Sequence, residues 1–437
     1  MLNDQSEIVT LDNNLRLQLV SIPGGKTTLF VVGFHAGAMY EEGFGPGSND
    51  GISHFIEHMF FKGTPTRTTK QVNEAFTRLG ADLNAGTSFD HTAYYAKVPS
   101  RNLHKAAEIW KELLVDKTID PIEFKAEKEV ILQEIQFRAD MPEFDTNLTV
   151  WKKHLMGTAL EHNILGTLDS VAGITPEMML DYIGRLYAFD NAIVILVGGF
   201  DLEAEKQYLS SIFSDPIAQP RKHPIYPPNV DYPTPKNGMS NISFYKKELS
   251  KPLSYVALAW TSPGIRSTDF FPLLLLNTFI GNSRTSLLYR EVISKGIASV
   301  CHYGFEALYD VSIGNILFVT PPDKTEEVFQ KVIDLMVTVR DLKISPQIAT
   351  ALKEEVWGSY LSEIEDPSNY GIDLLQKYIK FHQPLSANEF QKNIFQISPE
   401  DIQNAKDNLL ENFNITVYAT GTVPQNWEPH FPKHGPW

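Results

Sequence analysis

The stretch Asn191-Ala192-Ile193-Val194-Ile195-Leu196-Val197-Gly198 returns in pattern 223 residues later as Asn414-Ile415-Thr416-Val417-Tyr418-Ala419-Thr420-Gly421. Each is an apolar, β-branched run of the kind that makes a buried strand, opened by Asn and closed by Gly. The segments ahead of them repeat at the same spacing, as Ile174-Thr175-Pro176-Glu177 and Ile397-Ser398-Pro399-Glu400. Both read as helix starts, with Thr175 or Ser398 as N-cap, Pro at the first helical position and an acid in the first turn. A helix and a strand repeated at one offset imply a duplicated domain of roughly 200 residues.

Working outward, the join falls where prolines crowd, at positions 216, 220, 224, 227, 228, 233 and 235. That composition sustains neither helix nor central strand and reads as an extended linker. The expected organisation is a first domain at 1–214, a linker at 215–239 and a homologous second domain at 240–437. Within each half, strand patterns (Thr28–Ala36, Tyr255–Trp260) mix with amphipathic helices (Asn102–Leu114, Glu326–Val339), and Ala81–Val98 reads as a hairpin. The class is α+β, with helices packed on largely antiparallel sheets.

The formal net charge of −15 argues against nucleic acid as partner, because phosphate binding needs clustered Lys and Arg. No apolar run is long enough to span a bilayer. The N-terminal residues carry neither a secretory signal nor the Arg-rich character of a transit peptide, so the cytoplasm is the expected compartment, with an organellar or periplasmic site after processing left open. The single cysteine, Cys301, rules out an internal disulfide framework and reads as a small hydrophobe on a strand.

The chemistry gathers in Asp50–Gly63. Asp50 is the expected N-cap of a helix on which Ile52, Phe55, Ile56, Met59 and Phe60 form one apolar stripe. His54 and His58, four apart, stack on one face and can chelate one Zn²⁺, with Glu57 beside them. This His-x-x-Glu-His order is the inverted zinc-peptidase motif. Two imidazoles and an anionic third ligand leave an open position for a water of lowered pKa. Glu57 is too close along the chain to be that ligand and is placed to act as general base. The helix Pro121–Arg138 offers Glu123, Glu127, Glu129 and Glu134. Glu127 and Glu134 stand two turns apart on one face with Val130 and Ile131 between them, an apolar setting that is costly for carboxylates unless paired or metal-bound. From this, Glu134 is the candidate ligand and Glu127 a group that orients a histidine or the base, although spacing alone leaves a solvated helix face equally open for Glu134.

With these residues in place, the chain resembles the pitrilysin-like M16 metallopeptidases over nearly its whole length. The family spacing puts a glutamate 76 residues after the second histidine, which is Glu134 in Val130-Ile131-Leu132-Gln133-Glu134-Ile135. Phe61-Lys62-Gly63-Thr64, Gly80–Ser88 and Ile164-Leu165-Gly166-Thr167 also fit. The resemblance is to the M16B type, which includes mitochondrial processing peptidase and bacterial two-domain peptidases. It implies two homologous α/β-sandwich domains in a clamshell, the LuxS/MPP-like metallohydrolase fold. It further implies one Zn²⁺ per chain on His54, His58 and Glu134, with Glu57 as base and Glu127 in support. The strand around Asn84 and Ala85 is implied to pair with the substrate backbone. The implied activity is that of a zinc endopeptidase acting on peptides or unfolded segments inside a chamber.

One part of the pattern is missing. Single-chain relatives carry an Arg and a Tyr seven apart in the second half, which polarise the scissile carbonyl. In Leu287–Ser299 those positions hold Val292 and Ser299, with Arg290 and Tyr303 nearby. The second half also has no His-x-x-Glu-His. The expectation is therefore a zinc-bearing subunit of a heterodimer whose homologous partner supplies the Arg and Tyr. The rival expectation is a non-catalytic scaffold or binding subunit of the same fold.

Overall fold

The computed structural model describes residues 5–41, 48–115, 118–214, 241–281, 283–383, 385–411 and 414–431; the linker expected at 215–239 lies outside them. They form two compact units, each a twisted sheet covered by helices.

The first unit is built on a six-stranded sheet in the order β1-β2-β6-β3-β5-β4. The strands are β1 (Gln5–Thr10), β2 (Arg16–Ser21), β3 (Thr27–Phe34), β4 (Asp82–Thr87), β5 (Thr92–Pro99) and β6 (Ala192–Gly198). Only β2 and β6 pair in parallel; the hairpin expected at 81–98 is β4–β5. Its helices include α1 (Ile52–Met59), α2 (Thr69–Arg78), α3 (Leu103–Val115) and α4 (Pro121–Ala139). Every residue of β6 is buried, which explains its unbroken apolar run. Trp110 of α3 stacks on Phe30 of β3, and Phe60, just past α1, stacks on Tyr94 of β5. This aromatic packing fixes α1 against the sheet.

The second unit repeats the plan. Its strands are β7 (Asn241–Glu248), β8 (Ser254–Pro263), β9 (Val300–Ala307), β10 (Val311–Thr320) and β11 (Asn414–Gly421), in the order β7-β11-β8-β10-β9. Strand for strand this is the β2-β6-β3-β5-β4 order of the first sheet, again with one parallel pair, β7–β11. The repeated glycines have a shared cause. Gly198 and Gly421 both take positive φ, 151° and 86°. A Cβ on either would come within 2.3 Å of Thr27 O or 2.1 Å of Leu253 O.

One expectation changes. By chain position, helix α5 (Pro142–His154) belongs to the first half and helix Pro367–Phe381 to the second. By packing the two are exchanged. Within the described residues the first unit comprises 5–136, 162–214 and 362–383, and the second 137–161, 241–361 and 385–431. Val150 of α5 packs with Ala257, Ala259, Leu317 and Tyr418 of the second sheet. Small side chains at Ala257 and Ala259 give that face room for a helix. Among the described residues no helix is long and apolar enough to cross a membrane.

Candidate metal centre

Helix α1 presents six buried residues, Ile52, Ser53, His54, Phe55, Ile56 and Met59. The apolar ones face the first core, as the stripe requires. The helix does not start as expected. Its N-cap is Gly51, at φ +88°, and not Asp50. The cap comes from a distant residue. Glu41, ten positions upstream, accepts the Gly51 N–H on Oε2 (2.8 Å) and the Ser53 N–H on Oε1 (3.0 Å). Asp50 instead takes the Nδ1 proton of His162 and the Ser48 hydroxyl.

His54 and His58 turn their Nε2 atoms toward each other at 3.2 Å. The Glu134 carboxylate from α4 reaches into the same gap, with Oε2 at 3.9 Å from His54 Nε2 and 3.6 Å from His58 Nε2. The three groups thus meet within 4.8 Å of one another. Two imidazole nitrogens about 2.0–2.1 Å from one tetrahedral ion stand roughly 3.3 Å apart. The observed pair matches that span, and the carboxylate needs to close by only a few tenths of an ångström. Two neutral imidazoles and one carboxylate form a donor set that suits Zn²⁺ and leaves a position open.

His58 is oriented from behind. Glu127 Oε1 lies 2.8 Å from its Nδ1, which puts the proton there and leaves Nε2 as the lone-pair donor. The other oxygen of Glu127 pairs with Lys62 Nζ at 2.5 Å. Burial raises the Glu127 pKa, but the bonds from His58 and Lys62 outweigh it and the net shift is downward, so this carboxylate is held charged. Of the two residues expected between Glu127 and Glu134, Ile131 is fully buried while Val130 is 48% exposed. The glutamate face of α4 therefore includes Ile131 and turns away from Val130.

Glu57 does not join the ligand triangle. Its Oε2 accepts the Thr87 hydroxyl at 2.6 Å, and the carboxylate lines a cavity of about 260 Å³ shared with His58, Phe61, Lys62, Asn84 and Ala85. Burial lifts its pKa above the ordinary value; the Thr87 bond and His58 offset part of this, and Glu134 adds to it. Asn84 and Ala85 sit on β4, an edge strand of the first sheet, with the Asn84 side chain accepting the Ala85 N–H.

In the second unit, Val292, at the position expected for the Arg, is fully buried, and Ser299, at the position expected for the Tyr, donates to Val319 O. Tyr303 gives its hydroxyl to Asn277, and Arg290 stands exposed on a single π-helical turn, Tyr289–Ile293. Thr87 and Glu41 are contributors that sequence reasoning missed, and Lys62, read as the cation that closes α1, pairs with Glu127. Thr87 lies inside a stretch singled out for its strand, but no spacing rule links Thr87 or Glu41 to α1.

A two-unit α+β fold with a His, His, Glu cluster beside a carboxylate is the architecture of a metallopeptidase class. Two family models match the chain: "Insulinase (Peptidase family M16)" over residues 17–167 and "Peptidase M16 inactive domain" over residues 173–356. The chain belongs to peptidase family M16. It is 26% identical over 369 residues to YmxG of Bacillus subtilis, described as an uncharacterized zinc protease, covering 82% of this chain and 85% of that relative. It is 25% identical over 459 residues to the mitochondrial-processing peptidase subunit beta of Dictyostelium discoideum, covering 99% and 92% respectively. The fold also matches the crystal structure of a protease from Helicobacter pylori, with a TM-score of 0.84 at 21% identity, over 96% of this chain and all of the other.

Proposed function

We propose that the chain is a zinc-dependent endopeptidase acting on peptides or unfolded segments, with His54, His58 and Glu134 as ligands and Glu57 as general base. The observation that carries this reading is the convergence of the three donor groups next to a carboxylate that is held by Thr87 and kept out of the ligand set. When bound, zinc would supply a Lewis acid for the scissile carbonyl and lower the pKa of a neighbouring water. Glu57, steadied at Oε2, takes a proton from the attacking water and delivers it to the leaving amine. Glu127 holds His58 in the tautomer that leaves Nε2 free of a proton. The backbone of β4 at Asn84 and Ala85 receives the substrate as an added strand, which gives affinity with little side-chain selection.

The oxyanion-stabilising pair is supplied by a homologous partner chain in a heterodimer. Val292 is buried in the second unit, Ser299 is an exposed residue whose short hydroxyl is bonded to Val319 O, and several relatives are named as subunits. The same feature favours a second reading, a zinc-holding scaffold subunit that does not hydrolyse. A digest of an unfolded peptide library separates the two, using the wild-type chain with and without material co-purified from its source, and Glu57→Gln and Glu134→Gln as controls. The peptidase reading expects one zinc per chain, turnover lost in both variants, and zinc retained in Glu57→Gln. Zinc without turnover under every condition would favour the scaffold.

A further inference from the structure

The start of the metal helix is held by a buried network that the ligand chemistry does not use. Gly51 has no side chain with which to cap α1, and the geometry forbids one. A Cβ there would fall 2.7 Å from Leu165 O and 2.8 Å from Gly166 N. The N–H groups of the first turn need an acceptor, because a helix leaves them without intrahelical partners. Glu41 meets two of them with one carboxylate, from a position where it is 6% exposed. Burial pushes the Glu41 pKa well up, with Asp50 adding to this, while the bonds from Ser53 and Gly51 and the positive end of the helix favour the carboxylate.

The 162–170 segment grips the other side. His162 Nδ1 bonds Asp50, Ser170 Oγ donates to Asp50 O at 2.8 Å, and Gly166 packs so close to Asp50 that a Cβ on it would lie 2.6 Å from the same oxygen. Ser53 Oγ lies 2.7 Å from Tyr182 Oη, which donates to Gly37 O. All these groups are buried. The first metal-ligand candidate, His54, is the next residue after Ser53.

We infer that Glu41 is a positioning residue for the metal centre: it replaces the missing N-cap of α1 and, with the Asp50–His162 pair, sets the rotation and height at which the helix presents His54, Glu57 and His58. Residues that orient ligands through hydrogen bonds affect metal affinity out of proportion to their distance from the ion. A carboxylate with both oxygens on amides of one turn fixes that turn in two directions, which a single-acceptor cap does not.

This inference rests on the metal-site reading, and its test keeps the two apart. Glu41→Gln preserves volume but sets an amide NH₂ against a backbone N–H; His162→Gln perturbs the opposite grip. In metal-free protein, hydrogen exchange at Gly51 or Ser53 should quicken roughly tenfold in Glu41→Gln, since one amide loses its acceptor. The zinc dissociation constant, measured by chelator competition on folded protein, should rise about 10- to 100-fold. At saturating zinc, kcat should fall while KM stays near wild type, because the substrate strand at Asn84 is untouched. A purely stabilising role would lower the melting temperature and leave zinc affinity per folded molecule unchanged, and that result overturns the inference alone. Wild-type protein that binds no zinc overturns the site reading and the inference with it.

Discussion

His154, on α5, provides a prediction whose size can be worked from its surroundings. The residue is 4% exposed in the contact between α5 and the second sheet. Its Nδ1 lies 3.0 Å from Thr416 Oγ1, and among the described residues Nε2 has no hydrogen-bond partner. No carboxylate compensates a charge there, so burial pushes its pKa from 6.5 down to about 4. Between those two values the unfolded chain takes up a proton that the folded one refuses. The stability due to neutral His154 is therefore complete above about pH 6.5 and is lost as pH falls toward 4. The gap corresponds to about 3 kcal/mol, at 1.36 kcal/mol per pH unit. His154→Gln stays neutral throughout and can still reach Thr416. Urea denaturation of the two proteins from pH 7.5 to 4 gives a stability difference in which all other titrations cancel. That difference should shift by about 3 kcal/mol in favour of the variant as pH drops. The imidazole resonance of His154 should also stay unprotonated down to about pH 5. A flat difference, or an imidazole that titrates near 6.5, would refute the reasoning.

Other expectations rest on single contacts. Glu127→Gln keeps an acceptor for His58 but cannot also hold the Lys62 ammonium; zinc affinity should drop about 10- to 100-fold by chelator competition, and an unchanged value would mean that His58 needs no support from α4. Gly51→Ala forces a Cβ toward Leu165 O at a positive φ, so unfolding by denaturant should show a loss of about 2 kcal/mol or more. Cys301 lies on edge strand β9 with its thiol against the second core, and burial pushes its pKa up to about 12; alkylation at pH 8 should be far slower in native than in urea-unfolded protein, and equal rates would contradict the packing.

These contacts also mark how far a sequence can be read. Local rules carried helix α1 and its paired histidines, because two histidines four apart and an apolar stripe on the opposite face are properties of one helix. They carried the duplication too, since Gly198 and Gly421 answer to the same close approach of a neighbouring carbonyl. They failed where the deciding partner lies far along the chain. Asp50 has every local mark of an N-cap, yet His162, 112 residues on, claims its carboxylate, and Glu41 takes the cap. Val130 sits as close along α4 to Glu127 as the pattern allows, yet exposure singles out Ile131.

The exchanged helices are the larger instance of the same limit. The sequence of α5 records that one face is apolar, but an apolar stripe does not state which of two similar sheets it covers. Duplication makes that ambiguity acute: Pro367–Phe381 meets β3 and β6, and α5 meets their counterparts β8 and β11. Discrimination must come from polar detail at each contact. On α5 it is His154 to Thr416 and Asn147 to Asn315; on the other helix it is Tyr378 to Arg16 and Asp366 to Lys97. None of these pairs has a match at the corresponding place in the other unit, and for all but the exposed Asp366–Lys97 pair a helix docked on the wrong sheet would leave a buried polar group without its partner. If the pairs act this way, replacing His154 and Asn147 together by leucine should leave α5 apolar enough to pack yet blur which sheet it chooses. The outcome to look for is a second population of amide resonances along β3 and β6; a single native set would mean that shape alone decides the exchange.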